Sequence, residues 1–290
     1  MSARPPGGPR ERERNLPQHR SCWHGFGYVY PVIGRRSGGL SIGVNLCPDG
    51  RCNFNCVYCQ IDRTRAPRVH TLDLERLGAE LRSLLTLRER IFDEPEFRDV
   101  DPTLRRLRDI AFSGDGEPTA SPQFRAAVEL VVGLRHELAL GDTKIVVITN
   151  ASRLRHAEVE AALELLDHNN GEVWAKLDAG TQAYFEKVNR TLLRLDEIVG
   201  NIAHAAHCRP IVIQSMFMAI HGQAPSGHEI EAYVQRLRDL IERGARLKLV
   251  QVYTVARRPA EDWIGPLDAQ VLEEIAERVR AAGAPAAVYP

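Results

Sequence analysis

Ser41-Ile-Gly-Val-Asn45 and, six residues on, Cys52-Asn-Phe-Asn-Cys56-Val-Tyr-Cys59 are the stretch that decides the fold. The first five residues read as a short buried strand. The second run gathers three of the chain's six cysteines into eight residues with the spacing C-x3-C-x2-C. Thiolates suit iron–sulfur clusters and zinc. Structural zinc sites come as two ligand pairs, and no second pair follows in this sequence. A four-iron cluster held by three thiolates keeps one iron without a protein ligand, and an open position on a metal is where a substrate or cofactor binds. Six cysteines in 290 residues is no disulfide framework, so the cluster reads as metal chemistry in a reducing compartment.

Outward from that loop the chain alternates strands and helices. Leu74, Leu77, Leu81, Leu84 and Leu85 make one helical stripe. Strands follow at 109–112, 144–149, 172–177, 210–217 and 247–254, separated by helical patterns around 124–134, 156–167, 191–206 and 230–241. A last helix is marked by Val271, Leu272, Ile275 and Val279, and 286–289 reads as a short closing strand. Residues 92–107, rich in both charges, read as a surface insertion. Six βα units in a row imply a parallel sheet, either a barrel or a doubly wound sheet; periodicity alone does not choose. The candidate polar groups do: Gly114-Asp-Gly-Glu117, Asn150, Lys176 with Asp178, Gln214 with Ser215, and Tyr253 all sit where a strand ends. Parallel barrels build their sites at that end.

Composition is ordinary for a globular chain, 44% hydrophobic and 26% charged, with zero formal net charge. That balance gives no support for nucleic-acid binding. No apolar run approaches the ~20 residues needed to span a bilayer, and the Arg- and Pro-rich residues 1–20 carry no secretory signal, so a cytoplasmic location without a membrane partner is the default expectation. Residues 1–20 read as a disordered leader. Residues 21–290 form one domain, with the barrel over about 40–255 and a helix and short strand over 256–290.

The C-x3-C-x-aromatic-C loop after a first strand resembles the signature of the radical S-adenosylmethionine (SAM) superfamily, and Gly114-Asp115-Gly116-Glu117 resembles that family's Gly-Gly-Glu motif, with Asp115 inserted between the glycines. The resemblance implies an α/β fold, a partial (β/α)6 TIM-like barrel. It implies a [4Fe–4S] cluster on Cys52, Cys56 and Cys59, whose unique iron chelates SAM. Reductive cleavage of SAM would then give a 5′-deoxyadenosyl radical that takes hydrogen from a substrate. It implies SAM contacts at Tyr58, Gly114, Asp115, Gly116, Glu117, Asn150, Lys176, Asp178, Gln214 and Tyr253. An external electron donor of flavodoxin or ferredoxin type is expected, and the substrate is left open between a small molecule, a peptide and an RNA. A softer resemblance, carried by Ser113–Thr119 and Gln251–Glu261, is to the branch with the tRNA wyosine-base synthases. The alternative of another class is an iron–sulfur carrier or sensor without SAM chemistry. Cys22, Cys47 and Cys208 read as buried small hydrophobes. Arg35-Arg36 and Arg257-Arg258 are candidate anion contacts.

Overall fold

The computed structural model describes residues 23–61, 71–257, 259 and 261–290. The expected leader and Cys22 lie outside the described residues. In chain order, β1 (Val29–Gly34) and β2 (Gly39–Val44) form a hairpin, followed by α1 (Leu74–Thr86), β3 (Leu107–Phe112), α2 (Phe124–Glu137), β4 (Lys144–Thr149) and α3 (Ala157–Asp167). Next come β5 (Gly171–Lys176), α4 (Gln182–Asn189), α5 (Leu195–Cys208), β6 (Ile211–Met216), β7 (Ala219–Ile220) and α6 (Gly227–Glu242). β8 (Leu247–Tyr253), β9 (Ile264–Gly265), α7 (Ala269–Ala281) and β10 (Ala286–Tyr289) complete the chain.

The main sheet has the order β1-β2-β3-β4-β5-β6-β8-β10. Only the β1–β2 pair is antiparallel; from β2 to β10 every neighbour is parallel. The sheet curls into a half-barrel with helices outside it. Strands covered on both faces must be apolar along their length. β2 accordingly is buried at all six positions, and β4 carries Ile145, Val146 and Val147 at zero exposure. On α1 the stripe Leu77, Leu81, Leu84 and Leu85 is buried against the sheet's outer face. Each such side chain contributes about 1.5–3 kcal/mol. Inside the curl a second, smaller apolar layer forms from Ala111, Val146, Trp174 and Val212.

Two edges remain, β1 and β10, and they do not pair with each other. Arg35 in the hairpin turn donates to the Pro290 carbonyl, and the Arg36 guanidinium lies 4.5 Å from the centroid of the Tyr253 ring. The hairpin turn therefore bridges the open side of the half-barrel.

Three local features differ from the sequence expectations. β1 precedes the expected start of the sheet. It carries Pro31, which an edge strand tolerates because no inner neighbour needs its missing N–H. The segment 92–107 is not a plain surface insertion, since Phe92 and Phe97 are buried in the main core beside Ile91. The expected helix over 191–206 is found as α5, and a short helix the sequence reading did not include, α4, precedes it and ends at Asn189, where Arg190 takes the left-handed conformation (φ 46°). Among the described residues no helix is long and apolar enough to cross a membrane.

Candidate active site

The cysteine loop is built on Asn45, where β2 ends. Asn45 Oδ1 accepts from the Cys47 and Asp115 amides at 3.1 and 3.2 Å, and its Nδ2 donates to Asp115 Oδ2 at 2.8 Å. One amide side chain thus ties the cysteine loop to the glycine loop after β3. The two loops lie so close that side chains are excluded. A Cβ on Gly116 would stand 1.9 Å from the Arg51 carbonyl oxygen and 2.6 Å from Cys47 Cβ. A Cβ on Gly114 (φ 146°) would stand 2.6 Å from the Asn45 amide group. Both glycines answer a close approach.

The far side of the loop hangs on β4 and α4. Asn150 Nδ2 donates to Asn53 Oδ1 at 2.7 Å, and Asn53 Nδ2 donates to Ser152 Oγ at 2.8 Å. The Asn55 and Val57 amides donate to the carbonyls of Asn189 and Val188 at 3.0 and 2.9 Å. These bonds fix the backbone that carries all three thiols.

Cys52, Cys56 and Cys59 line one cavity of 330 Å³ together with Tyr58, Gly114, Asp115, Gly116, Glu117, Asn150, Lys176, Gln214 and Tyr253. Every expected site residue but one therefore reaches the same space. The exception is Asp178. It is 2% exposed and lies behind the wall, where it accepts from Tyr58 Oη, from Asn189 Nδ2 at 3.1 Å and from the Met216 amide at 2.9 Å. A carboxylate so engaged, away from the cavity, joins the cysteine loop, α4 and β6. In this structure it does not line the cavity.

Glu117 lines the cavity, but its oxygens are also engaged. Thr119 Oγ1 and N, Thr149 Oγ1 and the Asn150 amide donate to it at 2.6, 3.1, 2.7 and 2.7 Å. Burial raises its pKa against those donors. Its visible work is to pin the glycine loop to the end of β4. Lys176 is different: its ammonium lies 5.1 Å from the Tyr58 ring centroid, with no hydrogen bond or ion pair among the described residues. Burial pulls its pKa down, but Tyr253, Cys56, Asp178 and Cys59 outweigh burial and hold it above the ordinary lysine value. Gln214 Nε2 donates to Gln251 Oε1 at 2.9 Å, while its own Oε1 is buried with no partner among the described residues.

The donor set suits a thiolate-held cluster. Asn189 Nδ2 points at Cys56 Sγ from 3.4 Å, and the Phe54 amide at Cys52 Sγ from 3.5 Å. Hydrogen bonds of this kind stabilise sulfur ligands and tune cluster potential. Burial pushes the free Cys56 thiol up to about 11, so loading must displace a proton. Among the described residues no three His, Cys, Asp or Glu side chains converge on a point as one metal ion requires. A cubane takes one thiolate per iron and makes no such demand. Cys47 is no fourth ligand here: its Sγ donates to the Glu117 carbonyl at 3.3 Å, and burial pushes its pKa up to about 12. Cys208 is exposed at the end of α5, at the opposite end of the sheet from Cys47.

The model of the radical SAM superfamily matches residues 48–226. This chain belongs to that superfamily. The matched residues take in the cysteine loop, the glycine loop and strands β3, β4, β5 and β6. Among curated relatives, the UPF0026 protein slr1464 of Synechocystis sp. is 26% identical over 182 residues, covering 61% of this chain and 58% of that protein. A protein named GTPase Obg of Brachyspira hyodysenteriae is 25% identical over 166 residues, covering 57% of this chain and 21% of that protein. The matches thus span less than two thirds of these relatives' own length. A radical SAM methyltransferase structure from Sphaerobacter thermophilus superimposes with a TM-score of 0.59 at 16% identity, over 87% of this chain and 66% of that one. This likeness is one of fold.

Sequence reasoning passed over Tyr30, Asn53 and Asn189. Tyr30 packs its ring on Gly43, where a Cβ would stand 2.2 Å away, and its hydroxyl meets Ser113 Oγ at 3.0 Å. Asn189 lies 133 positions from the cysteine it touches, so no spacing rule finds it.

Proposed function

We propose that this protein is a radical SAM enzyme that cleaves SAM reductively and uses the radical on a substrate. Cys52, Cys56 and Cys59 are the ligands of its [4Fe–4S] cluster. When bound, the cluster supplies the electron that breaks a carbon–sulfur bond of SAM and leaves a 5′-deoxyadenosyl radical. A one-electron donor of flavodoxin or ferredoxin type provides that electron. The observation that carries the reading is the sharing of one cavity by three thiols on a rigid loop, the Gly114–Glu117 loop and the Lys176 ammonium, which has no ion pair among the described residues.

The chain's own residues divide the work. Asn45, Asn53 and Asn150 hold the cysteine loop in place. Glycine-loop carbonyls offer acceptors for the SAM ammonium, and Lys176 offers a cation for its carboxylate. Gln214 Oε1 and the Tyr58 and Tyr253 rings wall the space for the adenosyl group. Glu117 and Asp178 act through the loops they brace.

The test is product analysis. Anaerobically reconstituted protein reduced with dithionite is expected to release 5′-deoxyadenosine and methionine from SAM. An intact four-iron cluster that yields neither, with or without a protein reductant, overturns the proposal.

A further inference from the structure

Two arginines on the cavity wall have no role in the scheme above. Arg36 stands in the β1–β2 turn, and Arg257 follows β8. Both line the same cavity as the cysteines. Arg36 belongs to the hairpin at one edge of the sheet, and Arg257 follows β8, the strand next to the other edge, β10. Neither has a carboxylate partner among the described residues. Arg257 Nε is buried with no hydrogen-bond partner among the described residues, an arrangement that is costly for a charged group. Burial lowers the pKa of Arg257, and the neighbouring Arg36 charge lowers it further against the pull of Tyr30.

The acids on the wall are already engaged. Ser41 Oγ donates to Asp109 Oδ1 at 2.5 Å, Asn45 Nδ2 donates to Asp115, and Glu117 has its four donors. Two guanidinium groups facing one space, with no acid among the described residues to neutralise them, are an electrostatic vacancy for an oxyanion. The Arg36 guanidinium lies over the Tyr253 ring, a contact that favours this position before any ligand arrives.

We propose that Arg36 and Arg257 form an anion subsite that binds the carboxylate or phosphate of the substrate. The proposal rests on the SAM-enzyme reading, since it makes the oxyanion part of the molecule that the radical meets. It selects a small anionic substrate over a neutral one. The SAM carboxylate is assigned to Lys176, on the β5 wall beside Tyr58, and not to this pair.

Binding is measured by calorimetry on the reconstituted holoprotein, with inorganic phosphate and with malonate as separate probes, each with and without saturating SAM. At least one probe is expected to bind the wild-type protein, with an affinity that SAM leaves within about twofold. R257Q and R36Q are each expected to weaken that probe by about tenfold or more, as loss of a charge-assisted fork does. R257K, which keeps the charge, is expected to recover part of the loss. The better probe tells phosphate from carboxylate. Absence of binding by both probes, equal affinity in the glutamine variants whose thermal unfolding matches wild type, or displacement of the probe by SAM would each overturn the proposal. Failure of wild-type protein to cleave SAM strikes the enzyme reading instead, and leaves the anion measurement to be judged separately.

Discussion

The two ends of the half-barrel's interior treat their polar groups in opposite ways. At the N-terminal end of the strands, Glu172 accepts from Lys144 at 2.7 Å, Lys248 at 2.6 Å and Trp174 Nε1 at 3.0 Å. Burial disfavours its charge, but those donors outweigh burial and lower its pKa. Nothing there is left to do. At the C-terminal end lie the three buried side-chain polar atoms that lack a partner among the described residues: Asn189 Oδ1, Gln214 Oε1 and Arg257 Nε. Buried polar groups are ordinarily paired, and two of these three residues, Gln214 and Arg257, line the cavity, where a ligand or water can meet them. The closed end has its polar groups paired, and the open end is where the proposed chemistry sits.

That contrast is broken first at the thiols. Cys56→Ala is expected to abolish the cluster's visible absorbance and all SAM cleavage, while the circular dichroism of the metal-free protein stays native. Retention of a four-iron cluster removes Cys56 from the ligand set. Asp178 tests the brace behind the wall. Asp178→Ala strands the Met216 amide and the Asn189 and Tyr58 donors, and is expected to cost about 3–5 kcal/mol in denaturant unfolding. A cost below about 1 kcal/mol, with SAM affinity lost instead, returns Asp178 to the ligand side.

A smaller effect separates Lys176 from Glu117. Lys176→Met is expected to weaken SAM binding about tenfold with iron content unchanged, the size of one lost charge-assisted bond. Glu117→Ala is expected to reduce stability and iron loading together, because the carboxylate holds both loops. Normal loading with SAM binding lost would place Glu117 on the ligand. The smallest effect is at the closed end. Glu172→Gln is expected to cost about 1–2 kcal/mol at neutral pH and to leave SAM cleavage as it was. The sign follows from linkage: a carboxyl lowered from 4.5 in the fold adds stability above that value and loses it as pH falls through the folded pKa. The wild-type chain should therefore weaken in acid more steeply than the glutamine variant, as urea midpoints across pH would reveal.

Much of this was legible in the sequence because its signals are local. The thiol spacing, the apolar runs of β4 and β6 and the polar residues closing each strand lie within a few positions of one another. What escaped is set by contacts distant in sequence. β1 is a Pro-containing edge strand whose pairing partner had already been read as the first strand. The eight-residue helix α4 is too short for a periodic stripe. Asp178 had the right position at a strand end but points behind the wall, which period and spacing do not encode. Asn189 reaches Cys56 only because α4 stops where it does.

The most direct test of the open end as a SAM site is the electron paramagnetic resonance spectrum of the reduced, reconstituted protein, recorded with and without SAM. The account predicts a [4Fe–4S] signal that changes shape when SAM is added, with the change weakened in the Lys176→Met variant. A four-iron signal that SAM leaves unaltered, at SAM concentrations that saturate binding measured by filtration, would contradict it.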